Sequence, residues 1–329
     1  MKTMSPMPVY YNRGCTYCEI IGASGDGLDL LSYLAGRWRH STQEQWRERI
    51  EAGRVLVEGR RATPREALRR GQSVTWSRPP WAEPEVPLHF TLLHEDESLL
   101  AVAKPSGLPM MPGGGFLEHT LLALVRRTHP LASPAHRLGR GTSGVALFAK
   151  TKEAGRSLAR AWRERGVLKV YRALIEGSPS ADAFTVETPI GPVAHPGLGT
   201  LHAASARGKD SRSEVSVLER REGVSLVEVR IETGRPHQIR IHMAACGHPL
   251  AGDPLYGPGG VPRADALPGD LGYLLHATRL ALPHPDTGVT FEVGCEPPLE
   301  LTVGLLQSHQ RPSLAGRKPK SPTPWPGSK

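Results

Sequence analysis

Residues 78–87 read RPPWAEPEVP, four prolines in ten positions. Proline has a fixed φ and no backbone N–H, so neither a helix nor a central strand can cross this stretch. The chain is therefore expected to fold as separate units on its two sides, with 78–87 as an extended linker. Residues 25–77 form the smaller unit and residues 88–307 the larger. Residues 1–24 show no periodicity and read as an extension. Residues 308–329 read as a disordered basic tail, because from 311 onward five prolines and five Lys or Arg stand with no acid.

Charge separates the two units. The 329 residues carry 41 Lys+Arg against 32 Asp+Glu, a net charge of +9. Between Arg37 and Arg78 eleven Arg and no Lys meet five Glu and no Asp, so this segment alone holds +6. That excludes an acidic, solvating chain. Leu28, Leu31 and Leu34 fall on one helical face, and Ser41 with Glu44 is a capping-box signal for a second helix carrying Trp46 and Ile50, stopped by Gly53. Val55 and Val57, then Val74 and Trp76, alternate as a short strand pair. Two small helices and a hairpin dense in Arg are either a solvated face or a compact phosphate-binding surface, because guanidinium forks match phosphate oxygens and binding releases counterions. Arg47, Arg49, Arg54, Arg60 and Arg61 are the candidate contacts.

No run of about 18 apolar residues exists and the N-terminus lacks the apolar core of a signal peptide, so a soluble, cytoplasmic protein without a membrane partner is expected. Four cysteines cannot build a disulfide framework. Cys15 and Cys18 form a Cys-x-x-Cys with no second pair nearby, so no metal is expected.

Beyond the linker, strand-like runs at 99–103, 145–149, 167–175, 184–186, 215–218 and 224–231 arrive in groups. Helical patterns interrupt them at 119–127, 152–165 and 236–246. This grouping predicts an α+β fold with a mixed, largely antiparallel sheet. Residues 192–212, poor in periodicity, read as a mobile loop.

Three segments concentrate polar groups beside apolar strands. His136-Arg137-Leu138-Gly139-Arg140-Gly141-Thr142-Ser143-Gly144 reads as an anion-binding turn. In Thr233-Gly234-Arg235-Pro236-His237-Gln238-Ile239-Arg240, a helix start at Pro236 places Arg235 at its N-terminus and His237 and Arg240 on one face. Lys104-Pro105-Ser106-Gly107 is a turn after a strand. Gly113-Gly114-Gly115 lacks the Lys-Ser/Thr ending of a phosphate-binding P-loop. Composition and spacing stop at a nucleic-acid-binding α/β protein with a phosphate-rich cleft.

These motifs, in the order Lys104 to Gly107, His136 to Gly144, Lys169-Val170-Tyr171-Arg172-Ala173-Leu174, Thr233 to His242, Gly247-His248-Pro249 with Gly252-Asp253-Pro254-Leu255-Tyr256-Gly257, and Leu275-His276-Ala277, resemble the RluA-type pseudouridine synthases. The run from Arg49 through Gly59 to Gly71 resembles the small RNA-binding module first seen in a ribosomal protein, which is common at the N-terminus of that family. The resemblance implies isomerisation of uridine in structured ribosomal or transfer RNA, by flipping the nucleotide and breaking its glycosidic bond, without metal or organic cofactor. It needs no protein partner and no second subunit, so a monomer is expected. Arg137 matches the side chain inserted into the RNA stack, Tyr171 the aromatic residue at the base, and Arg240 the partner of the catalytic carboxylate. His136, Arg140, Arg235 and His237 are expected at the RNA.

The sequence departs from the family at one position. Gly139 stands where the family has its nucleophilic Asp, and no residue from His136 to Gly144 is acidic. Arg240 is then expected to lack its partner. Asp210 and Glu232 are the candidates for a replacement carboxylate, while Asp253 matches a structural position. The alternative is an RNA-binding protein on the synthase fold that has lost its chemistry.

Overall fold

The computed structural model describes residues 11–304 except 39 and 197. The expected disordered tail lies outside the described residues, as do the first ten positions of the expected extension. The described chain divides into two compact units, one ending at Glu83 and the other beginning at Pro84.

In the first unit, β1 (Cys15–Ile20), α1 (Leu30–Arg37), α2 (Gln43–Glu51), β2 (Val55–Val57), β3 (Arg60–Arg61) and β4 (Ser73–Arg78) follow in chain order. The four strands form one sheet in the order β1-β4-β2-β3. Part of the expected extension is thus a strand: Cys15 to Ile20 pair with Ser73 to Arg78 all along β4. Most of β1 is exposed, so it carries no inward alternation for a sequence pattern to show. Leu28 is exposed and precedes α1, while Leu31 and Leu34 are buried. The capping box belongs to Thr42 and Gln45 rather than Ser41 and Glu44; Thr42 Oγ1 accepts from Gln45 N, and Gln45 Oε1 from Thr42 N. Ser41 instead accepts a hydrogen bond from Arg49. Trp46, Ile50, Val55, Val57 and Val74 close the core of this unit.

The second unit runs through β5 (Thr91–Glu95), β6 (Leu99–Lys104), α3 (Leu121–Arg126), β7 (Ser133–Pro134), β8 (Ser143–Ala149), α4 (Lys152–Arg163), β9 (Leu168–Glu176) and β10 (Ala183–Val186). It continues with β11 (Ile190–His195), β12 (Gly199–Ala204), β13 (Ser213–Arg221), β14 (Val224–Ile231), α5 (Gln238–Ala245), β15 (Leu275–Pro283) and β16 (Thr290–Gly294). Eight strands lie in the order β10-β13-β14-β9-β15-β8-β6-β5, with β16 on β15 and β7 on β8. Every strand pairing in this sheet is antiparallel except β15 on β8. The fold is therefore α+β with a mixed, largely antiparallel sheet.

Two expectations change here. The stretch read as a mobile loop holds the hairpin β11–β12, paired from Ile190↔Ala204 to His195↔Gly199. Its Gly, Pro and Ala residues hide the alternation, yet Ile190, Leu201 and Ala203 pack against Ile241 and Tyr256. Helix α5 begins after His237, its N-cap, and not at Pro236. His237 sits at φ 55, a left-handed conformation uncommon for a residue with a side chain. Among the described residues no helix is long and apolar enough to cross a membrane.

Candidate active site

The turn from His136 to Thr142 is fixed from below by the turn that follows β6. Lys104 is 1 % exposed and its Nζ donates to the carbonyls of Pro105 at 2.8 Å, Leu108 at 2.7 Å and Arg140 at 3.1 Å. Ser106 Oγ donates to Gly141 O at 2.8 Å, and Gly107 N to Arg140 O at 2.8 Å. The two turns are therefore tied together by hydrogen bonds. The parallel pairing brings His276 beside Ser143 and Ala277 beside Gly144. A Cβ at Gly144 would lie 2.2 Å from Ala277 O, so only glycine permits that approach. His276 Nε2 meets Cys295 O at 3.2 Å and must donate to it, which leaves Nδ1 to accept from Ser143 Oγ at 2.8 Å.

From the other side α5 presents Arg240. Its Nε and Nη2 donate to Asp253 Oδ2 and Oδ1, both at 2.7 Å, and the two side chains are 2 % and 0 % exposed. Asp253 Oδ1 also accepts from the backbone of Leu255 and Tyr256. Burial opposes the Arg240 charge, and Asp253 more than restores it. The expectation of a partnerless Arg240 is thus corrected: the structural carboxylate of the Gly252-Asp253 turn neutralises it. The Arg240 guanidinium lies 4.1 Å from the ring centroid of Tyr273 and 5.1 Å from that of Tyr256.

Gln238 locks the approach to this helix. Its Oε1 accepts from Thr233 Oγ1 and Arg235 N, and its Nε2 donates to Arg212 O and Ser213 Oγ. Tyr256 Oη donates to His202 O at 2.6 Å, so the 2.8 Å contact from His237 Nδ1 makes that nitrogen the donor and Nε2 the acceptor. Burial, with Arg240 nearby, brings the His237 imidazole down to about 4. It is neutral at pH 7. Tyr171, midway along β9, is a phenol that burial pushes up to about 12.

These elements enclose a cleft of about 90 Å³. Arg137, Gly139, Tyr171, Arg235, His237 and Arg240, named from the sequence, all line it. Arg137 is exposed at this cleft, whereas Arg235 is held by Asp210 O at 3.0 and 3.1 Å. His136 and Arg140 do not line it. His136 stacks on Trp162 and its Nε2 accepts from Leu147 N at 3.1 Å, while Arg140 donates to Gly107 O and lies over Phe116. Both side chains thus have partners inside the fold. Neither replacement carboxylate reaches the cleft: Glu232 pairs with Arg212 at 3.1 Å, and Asp210 meets Arg235 through its backbone carbonyl. Among the described residues lining the cleft there is no carboxylate.

Sequence reading missed Tyr273. It is 4 % exposed and forms part of both this cleft and a wider one of about 490 Å³ beside it. A Cβ at Gly139 would lie 3.1 Å from Tyr273 Oη, and a Cβ at Gly141 2.9 Å from its Cζ. The two glycines that leave the turn without acids are the ones the tyrosine packs against. That pair of missing side chains, next to an aromatic residue before Leu275-His276-Ala277, is the signal that could have found it.

In the first unit, Arg54 and Arg61 are exposed and Arg47 makes a 3.4 Å pair with exposed Glu44. Arg49 and Arg60 have partners within the unit. Arg49 donates to Ser41 and lies 4.6 and 5.0 Å from the Trp46 and Trp76 rings, and Arg60 forks onto Glu66. Cys15 and Cys18, three apart in β1, point to opposite faces. Among the described residues no group of three or more His, Cys, Asp or Glu could hold a metal.

Residues 98–245 match the family model described as RNA pseudouridylate synthase. An uncharacterised RNA pseudouridine synthase of Synechocystis is 44 % identical over 276 residues, covering 83 % of this chain and 95 % of that protein. Ribosomal large subunit pseudouridine synthase D of Nitrosomonas europaea is 36 % identical over 272 residues, 78 % of this chain and 77 % of the relative. Among solved structures, human RNA pseudouridylate synthase domain containing 1 superposes with a TM-score of 0.52 at 28 % identity, over 67 % of this chain and 89 % of that one.

Proposed function

The chain belongs to the RluA-type RNA pseudouridine synthases, and from that membership we propose how its residues turn uridine into pseudouridine in RNA. The reaction breaks the bond from N1 to C1′, turns the uracil and joins C5 to C1′. A stacked uridine must first leave the helix, which costs a few kcal/mol of stacking and pairing. Arg137, exposed at the cleft, is the side chain that fills the gap left in the stack. The Tyr171 ring takes the face of the flipped base. Neutral His237 offers Nε2 as an acceptor to the uracil edge, and Arg235 contacts a neighbouring phosphate. Arg240 acts through position, holding the Tyr273 and Tyr256 rings apart at the back of the cleft while Asp253 keeps its charge compensated.

The observation that carries this reading is the meeting of Arg137, Tyr171, His237 and Arg240 around one cleft, although they come from three separate segments. The substrate is a structured RNA, ribosomal or transfer, gripped also through Arg47, Arg54 and Arg61. A relative named for the large ribosomal subunit favours ribosomal RNA. The protein works as a monomer in the cytoplasm, with no protein partner.

A transcriptome-wide chemical map of pseudouridine, in cells with and without the gene, tests it. A site that vanishes on deletion, returns with the native gene and stays absent with Arg137→Ala is the expected result. If no site changes while the protein still captures a defined RNA, the chain is a binding protein that has lost its chemistry.

A further inference from the structure

The cleft holds what a base needs and lacks the group that would displace it. Gly139 has no side chain, Asp253 has both oxygens committed, and Glu232 and Asp210 lie elsewhere. Yet the space next to Gly139 is filled. Tyr273 Oη lies 3.1 Å from where a Cβ at 139 would stand, and 3.5 Å from Thr142 Oγ1. The hydroxyl therefore occupies the place from which a short acidic side chain at 139 would act, entering from β15's side of the cleft. Both glycines of the turn are required for this. A Cβ at Gly141 would come within 2.9 to 3.1 Å of three atoms of the same phenol. Arg240 packs on the ring face at 4.1 Å and fixes its plane, so the hydroxyl is held by the surrounding fold.

We propose that Tyr273 is the nucleophile of this enzyme, supplying through its phenol oxygen the attack that the missing carboxylate cannot make. The proposal rests on the synthase reading above. Tyrosine is a competent group for such a step: it forms covalent intermediates in enzymes and is the glycosidic nucleophile of sialidases. The phenol first gives its proton to water. Its oxygen then attacks C1′ of the flipped nucleotide, forming an aryl ether bond as the N1–C1′ bond breaks, and uracil leaves with the electron pair on N1. The uracil turns so that C5 faces C1′. C5 attacks, the new C–C bond forms and the ether bond breaks, returning the phenolate. Finally the C5 proton is lost to water while N1 takes one up, and pseudouridine results. No atom is gained or lost and no oxidant or metal enters.

Tyr273 lines both the base cleft and the wider one, whose wall also includes Lys104, Ser143 and His276.

The experiment uses the full-length protein and the RNA that the native enzyme converts. Tyr273→Phe removes one oxygen and keeps the ring against Gly141 and Arg240. It is expected to lower conversion at least a thousandfold, with RNA affinity and thermal midpoint unchanged. The same RNA carrying 5-fluorouridine at the target site makes C5 a poorer nucleophile and slows the rejoining step. Digestion and mass spectrometry should then place a ribose phosphate that has lost its base on Tyr273. The double variant Gly139→Asp with Tyr273→Phe should regain at least tenfold over Tyr273→Phe alone, because losing the hydroxyl opens the space for an acid. Tyr273→Phe conversion within tenfold of native, or the label on another residue, overturns the proposal. A native enzyme that converts no uridine overturns the synthase reading itself, a separate result.

Discussion

Lys104 gives all three N–H donors to backbone carbonyls, and burial with Arg140 nearby brings its amine down to about 7. Lys104→Met would leave three carbonyls without their donor, at about 1 kcal/mol each. We expect roughly 3 kcal/mol less stability by urea unfolding, together with a looser turn at Gly139. Asp253→Asn strips the charge from a fully buried pair and should cost about 4 kcal/mol, because Arg240 is then uncompensated. Both changes leave the first unit untouched. The sequence marks Asp253 as structural and Arg240 as needing a carboxylate. It does not join them, since they stand thirteen positions apart across a turn. Tyr273 was illegible for a related reason: its meaning comes from Gly139 and Gly141, more than a hundred positions earlier.

At the scale of elements, legibility follows burial pattern. Strands β6, β8, β9 and β14 are rich in buried Val, Leu, Ile and Ala and stand out as apolar runs. Strand β1 and the β11–β12 hairpin escape because they offer little inward alternation or mix in Gly and Pro. Helix α2 depends on its reciprocal cap. Thr42→Ala should lower the stability of the first unit by about 1 kcal/mol, visible in the near-ultraviolet signal of its tryptophans. His136 ties the catalytic turn to β8, and burial, with Lys169 nearby, brings it down to about 4. The folded protein keeps this ring neutral, whereas the unfolded chain takes up a proton below about 6.5. Stability should therefore fall as pH drops from about 6.5 to 4, by at most about 1.4 kcal/mol per unit. His136→Gln, which can still accept from Leu147 N, should flatten that acid limb in urea midpoints taken at pH 7.5 and 5.

For the whole molecule, the charge map predicts how salt acts. Replacing Arg47, Arg54 and Arg61 together by Gln should weaken RNA binding and reduce the slope of log affinity against log salt by about 2, at roughly 0.7 to 0.9 per lost phosphate contact. An unchanged slope would move the RNA away from this face. A different consequence follows from the one parallel pairing in the large sheet. Ser143 and His276 touch although 133 residues separate them, and Thr142 and Tyr273 although 131 do. Such long loops close late, since their entropy is lost before any contact rewards it. A chain emerging from the ribosome exposes its arginine-rich unit and the Gly139 turn long before β15 arrives. Until then the turn has no wall behind Gly139. Activity is thus timed by translation: competence arrives only with the last strands, and refolding assays should show secondary structure returning ahead of turnover.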